Sequence, residues 1–111
     1  MLEALSHRHG ARETLLGYAA MKRGQHVVLG ATLCDEVSGI AVALDGVIAN
    51  SRELRGQLSK KGFVFPEKTD VELLLRAYQY WDKDVVRHVE GALAFALWDP
   101  GKDRLMLARD R

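Results

Sequence analysis

A single cysteine, Cys34, and two prolines, Pro66 and Pro100, stand in a chain of 111 residues. One thiol cannot close an internal disulfide, so the sequence is not one of the small cross-linked scaffolds, and its composition suits a reducing compartment. No apolar run approaches the roughly 20 residues that a helix needs to cross a bilayer, and the N-terminus lacks a basic region followed by an apolar one. The expected address is the cytoplasm. Neither sign of charge dominates: 16 Lys and Arg face 15 Asp and Glu without long blocks, which leaves no electrostatic footprint for nucleic acid or a membrane surface. A glycine-rich phosphate loop is missing, so ATP chemistry is excluded for this polypeptide alone. The four histidines, His7, His9, His26 and His88, have no third and fourth ligand at metal-like spacing and read as surface or packing residues. No metal and no cofactor are expected.

What is present is apolar side chain in folded-domain quantity. At 48% hydrophobic residues, one domain spanning residues 1–111 can bury roughly two-thirds of the surface its unfolded form exposes. Leu2 to Arg8 reads as a short helix with Leu2 and Leu5 on one side. Ala11 to Gln25 fits a helix, or a strand and turn, and the pattern does not choose between them. His26–Cys34 and Gly39–Ala49 are rich in β-branched and apolar residues, and the reversal at Asp35–Ser38 makes them a buried antiparallel hairpin. Asn50, three residues before Glu53, opens a helix over Ser51–Lys61 with Leu54 and Leu58 on its buried face. Thr69 opens a second, its hydroxyl accepting near Glu72 while Glu72 reaches back, with Val71, Leu74, Leu75 and Tyr78 inward. Lys83–Val89 gives a further short helix that Gly91 breaks. Ala92–Trp98 and Arg104–Arg109 are strands joined by the turn Asp99-Pro100-Gly101-Lys102. Runs of strands and runs of helices, rather than alternation, indicate an α+β layered domain.

The second half carries a resemblance. Its blocks ANSRELRGQLSKKGFVF, KTDVELLLRAYQYW and GALAFALWDPGKDRLMLARDR, in that order between Ala49 and Arg111, resemble the N-terminal glutaminase domain of asparagine synthetases and other class II glutamine amidotransferases. There the stretch reads approximately as an Asn-Gly-Glu-Ile-Tyr-Asn strand end, a helix opening on Arg-Glu-Leu, an Asp-Thr-Glu helix start and a Phe-Ala-Phe-Ala-Leu-Trp-Asp hairpin closing on Ala-Arg-Asp-Arg. The start MLEALSHRHG is similar to the family's Met-Leu-x-x-Leu-x-His-Arg-Gly-Pro-Asp helix end, with His9-Gly10 in place of Gly-Pro-Asp. The resemblance implies the αββα sandwich of N-terminal-nucleophile hydrolases, largely antiparallel and here incomplete at the sheet edges.

It also implies chemistry that several positions depart from. Such glutaminases attack with an N-terminal cysteine whose own amine serves as base, and this chain begins Met1-Leu2-Glu3. Cys34 is no substitute: Asp35 and Glu36 follow it, carboxylates raise a thiol pKa, and a small buried core residue is the expected role. The family's oxyanion hole uses an asparagine side chain and the following glycine N–H, and those positions are Asp45 and Gly46. An ionised Asp45 would repel the charge it should stabilise, and Asp45-Gly46 reads equally as a bulge or turn. The next family residue, a glutamate, is Val47. The arginine that clamps the glutamine α-carboxylate falls, by position, in Leu29–Leu33, which has none. Asp70 matches the aspartate that pairs with the glutamine α-amine, and would also serve as an acidic first-turn residue on a helix dipole.

The expected function is therefore a degenerate amidotransferase-type module for binding, assembly or regulation, with no catalytic residue and with Asp45, Gly46 and Asp70 as remnants of a glutamine site. The alternative is a fragment of a glutamine-hydrolysing enzyme whose cysteine strand and synthetase domain lie outside this chain. Expected partners are a second copy or another subunit through an open sheet edge, and glutamine or a related amino acid, with no nucleic acid and no membrane.

Overall fold

A computed structural model describes residues 31–110 in full and residues 2–7 by their backbone. The elements run β1 (Leu2–His7), β2 (Ala31–Cys34), β3 (Ala41–Gly46), α1 (Ser51–Ser59), α2 (Asp70–Trp81), a 3-10 turn (Asp82–Asp84), α3 (Val85–His88), β4 (Leu93–Asp99), a second 3-10 turn (Pro100–Lys102) and β5 (Arg104–Asp110). All five strands join one open sheet in the order β1-β5-β4-β3-β2, antiparallel at every pairing. The α+β layered class expected from the sequence is borne out. Of an αββα sandwich, the described residues supply one sheet and one helical layer.

β4 lies at the centre and is apolar on both faces, as a strand covered twice must be. Its register sets the two faces. Val42, Leu97 and Met106 stand opposite one another, as do Leu44, Phe95 and Ala108. These side chains meet Leu54 and Leu58 of α1, Val71, Leu74, Leu75 and Tyr78 of α2, and Val85 and Val89, in one continuous core. Each fully buried residue the size of Phe95, Leu97 or Leu74 contributes about 1.5–3 kcal/mol, which makes this interface the main source of stability. The alternate residues, Ala43, Ala96 and Leu105, form a second buried cluster on the opposite face, flanked by Ala41, Trp98 and Leu107.

Local chemistry explains most element ends. The Asp35 carboxylate accepts from the Ser38 N–H at 3.0 Å and its hydroxyl at 2.6 Å, which fixes the β2–β3 reversal. Those Ser38 bonds hold the Asp35 carboxyl below the usual range. Thr69 caps α2 by accepting from the Glu72 N–H at 3.2 Å. Asp99 accepts from the Gly101 N–H at 3.1 Å and seats the β4–β5 turn.

Five expectations are corrected. Leu2–His7 is a strand, paired with β5 from Leu2 opposite Asp110 to His7 opposite Leu105. So short a segment gains little from helical nucleation and more from the backbone ladder β5 offers. Cys34 is exposed rather than a core residue: the two-residue period turns Leu33 toward the helices and Thr32 and Cys34 away, and β2 as a whole is the open border of the hairpin. Asn50 makes no side-chain cap on α1. It instead donates to the His88 carbonyl at 2.7 Å and accepts from the Glu90 N–H at 3.0 Å. Glu72 reaches back past its cap, to the N–H groups of Glu67 and Lys68 at 3.2 and 3.0 Å. The Lys83–Val89 helix divides into the 3-10 turn and α3. Expectations for Ala11–Gln25, His26–Gly30 and the side chains of His7 and His9 lie outside the described residues.

Candidate functional site

Two polar constellations flank α2. At its N-terminal end, β3 runs out at Asp45-Gly46, and the chain crosses the start of β4 through Val47 N–H to the Ala92 carbonyl at 3.1 Å and Ala49 N–H to the Glu90 carbonyl at 2.7 Å. The crossing requires two glycines. Gly46 has φ +110° and Gly91 φ +145°, and a Cβ on either would meet the backbone of the opposite strand, at Ala92–Leu93 and at Val47–Ala49 respectively. Gly46 is thus conformationally obligatory at its position.

Asp70 sits at the first position of α2, where the Thr69 cap and the helix dipole favour a carboxylate. Its Oδ2 accepts from the Ile48 N–H at 3.0 Å, and its Oδ1 lies 3.4 Å from Arg55 Nη2. Arg55 also donates to the Lys68 carbonyl at 3.1 Å. Lys68 itself adopts φ +57°, a left-handed conformation uncommon outside glycine. The buried Glu72 carboxylate holds it there by accepting its N–H. Ile48 is buried in the core and ties Asp70 to the strand end that carries Asp45 and Gly46. Of the expected remnants, Asp70 is joined to the strand end two residues beyond Gly46. Val47, in place of the family's glutamate, is 64% exposed. Arg55, Lys68 and Glu72 were not anticipated as members of this corner. Their signal was faint: Arg55 stands next to the buried Leu54, and Glu72 lies on the face of a helix that is otherwise apolar there.

At the C-terminal end of α2, the buried Tyr78 hydroxyl donates to Asp99 Oδ2 at 2.6 Å and accepts from Arg104 Nη1 at 3.1 Å. Arg104 also donates to Asp82 Oδ1 at 2.5 Å, and Lys102 Nζ to Asp82 Oδ2 at 2.8 Å. Burial, then the bond to Asp99, pushes the Tyr78 phenol far above its ordinary 10.0. Partial burial works to raise the Asp82 carboxyl, but bonds from Lys102 and Arg104 outweigh it and hold the group below the usual range. The guanidinium of Arg104 is in turn raised, its bond to Asp82 overcoming its own burial. This network joins α2 to the β4–β5 hairpin. Among the described residues, no cluster of His, Cys, Asp or Glu has the makings of a metal site, and no helix is long and apolar enough to cross a membrane.

Comparison with known proteins agrees with this architecture. The model of a glutamine amidotransferase domain matches residues 31–111. The glutamine-hydrolysing asparagine synthetase 3 of Bacillus subtilis is 39% identical over 70 residues, covering 63% of this chain and 11% of that protein. The amidase chry2 of Gibberella zeae is 31% identical over 77 residues, covering 69% of this chain and 11% of its own length. In structure, the chain resembles the glutamine phosphoribosylpyrophosphate amidotransferase of B. subtilis with a TM-score of 0.52 at 19% identity, covering 73% of this chain and 24% of that one. The chain thus spans about a tenth of the length of these sequence relatives. With the α+β layer, the Asp45-Gly46 strand end and the Thr69-Asp70 helix start in the expected order, it belongs to the glutamine amidotransferase domain family, of the asparagine synthetase type.

Proposed function

We propose that this chain is an amidotransferase-type domain that does not hydrolyse glutamine and acts as a binding, assembly or regulatory module. The observation that carries this reading is the engagement of Asp70. Its carboxylate already accepts from the Ile48 N–H and faces Arg55, so an incoming α-ammonium group would compete with a guanidinium for the same oxygens. Two neighbouring positions support it. Asp45 stands where the family has an amide donor, and a carboxylate there opposes the negative oxygen of an acyl-transfer intermediate. Val47 offers an apolar side chain in place of a carboxylate. Ala31, Thr32 and Leu33 of β2 bring no guanidinium to bind an α-carboxylate.

The test is calorimetric titration of the 111-residue chain with glutamine and with glutamate, followed by ammonia release on the same sample. Binding without release is the outcome expected of a sensor, and absence of binding leaves the assembly role. Release that depends on Cys34 overturns the reading.

Assembly has its own support. β2 borders the sheet among the described residues, three of its four residues are exposed, and its outer backbone groups are a template for a further strand. The expectation is a dimer or larger assembly in light scattering. A clean monomer at high concentration contradicts it.

A second reading is favoured by coverage. Because the relatives are some nine times longer than the matched stretch, the chain would be a piece of a glutamine-hydrolysing asparagine synthetase-like enzyme. An upstream reading frame opening Met-Cys-Gly-Ile would favour it.

A further inference from the structure

We propose that the cleft where the C-terminal ends of α1 and α2 meet α3 binds a small, planar aromatic anion. The cleft encloses about 380 Å³, within the range of small-molecule sites, roughly 300–1,000 Å³. It lies eleven residues along α2 from Asp70, a rise of about 16 Å, and the inference does not rest on the reading of that corner.

Its walls divide into an aromatic platform and a cationic rim. Trp81 stacks on His88 with ring centroids 3.9 Å apart and planes 9° from parallel. Tyr80 stands edge-on to Trp81 at 5.4 Å, and Phe63 edge-on to Tyr80 at 6.0 Å. Tyr80 is 43% exposed although it stands between Phe63 and Trp81 in this aromatic row. Gln57 and the two successive lysines, Lys60 and Lys61, complete the lining with Leu58 beneath. Among the described residues, no carboxylate lines the cleft.

The lysines have an ordinary alternative use, since cations near a helix C-terminus offset its free carbonyls. Here the backbone has taken that role. The Lys60, Lys61, Gly62 and Phe63 N–H groups donate to the carbonyls of Gly56, Leu58, Ser59 and Leu58 respectively. Among the described residues neither ammonium has an ion-pair partner. Two ammonium groups beside a stacked ring pair favour a ligand that is flat and negatively charged at one end. A neutral ring would forgo the charge, and an aliphatic acid would forgo the stacking.

The test uses 1-naphthoate, its neutral counterpart 1-naphthamide, and cyclohexanecarboxylate, each titrated into the isotopically labelled chain. The Trp81 indole N–H resonance is the reporter, and Trp98, on the opposite face of the sheet, the internal control. Naphthoate is expected to shift the Trp81 signal saturably with a Kd on the order of 1 mM, appropriate to a ligand of its size, and to leave Trp98 unmoved. The amide and the aliphatic acid are each expected to bind about tenfold more weakly. The double variant Lys60→Gln/Lys61→Gln, in which both changed side chains are exposed, is expected to bind naphthoate about tenfold more weakly while keeping its dispersed spectrum. A naphthoate shift that does not saturate, equal binding of acid and amide, or undiminished affinity in the double variant each overturns the proposal.

Discussion

The two ends of α2 use the same kinds of group for different ends. At the N-terminal end, Asp70, Glu72 and Arg55 bond almost wholly to backbone: the N–H groups of Ile48, Glu67 and Lys68 and the Lys68 carbonyl. At the C-terminal end, Tyr78, Asp82, Asp99, Lys102 and Arg104 bond chiefly to one another. The first arrangement fixes loop shape, which a binding corner needs. The second joins an element to a distant hairpin, which a fold needs. Carboxylates at matched helix ends thus differ in role by which groups donate to them, and residue type alone does not separate the two.

The largest expected effect is at the crossing that shapes the N-terminal corner. Gly91→Ala places a Cβ against the Val47 carbonyl and the Ala49 N–H in a conformation that L residues avoid. Destabilisation of about 3 kcal/mol or more, seen as a lower midpoint in chemical denaturation, is expected. A loss below about 1 kcal/mol would show that the corner yields easily and that its shape is not imposed. At the other end, Tyr78→Phe leaves the Asp99 carboxylate and Arg104 without the bridging hydroxyl, at a cost of about 2 kcal/mol. Its pH dependence has a definite sign. The phenol is raised in the fold, so its protonated form contributes stability that is whole below the ordinary 10.0 and lost as pH rises beyond it. The wild type should weaken above pH 10 and the Phe variant should not share that component.

Legibility in the sequence followed the range of the interaction. The α2 start was readable because Thr69 and Glu72 are three residues apart, and the β4–β5 turn because Asp99, Pro100 and Gly101 are adjacent. The β2–β3 pairing followed from two apolar runs on either side of the Asp35–Ser38 reversal. Asn50 was misassigned because its true partners, His88 and Glu90, lie 38 and 40 residues away, where local spacing carries no information. Cys34 failed for a related reason: an apolar run is the same in a central strand and in a border strand, and only pairing order tells them apart. In the candidate site, Asp45, Gly46 and Asp70 could be named by resemblance, but Arg55 could not, because its approach to Asp70 depends on how α1 and α2 cross.

Asn50 offers a smaller and sharper comparison than either end of α2, since it links α1 to the segment after α3. Asn50→Ala removes both of its bonds and should cost about 1–2 kcal/mol. Asn50→Asp keeps the acceptor for the Glu90 N–H, loses the donor to the His88 carbonyl and leaves an equally favoured capping residue at the start of α1, released from the His88 bond. If the long-range link is what matters, thermal melts will place Asp nearer to Ala than to wild type. If α1 capping dominates, Asp will equal or exceed wild type.

The smallest effect tests whether the C-terminal network acts through charge. Asp82 has φ +55° and ψ −132° at the end of α2, a strained conformation for any residue with a side chain, and because asparagine has the same shape as aspartate, Asp82→Asn removes the charge without adding to that strain. The pair with Lys102 is half exposed and solvent screens it, so at pH 7 the variant should lose only about 0–1 kcal/mol. Because the carboxyl is held below its ordinary 3.8, the contribution is present above that value and disappears as pH falls through the lower folded-state value. Denaturation midpoints of wild type and variant should therefore differ at pH 7 and converge as pH falls well below 3.8, and they should also converge in high salt. A gap that survives both conditions would mean that Asp82 acts by holding the strained backbone at the helix end, and the contrast between the two ends of α2 would then be one of backbone shape alone.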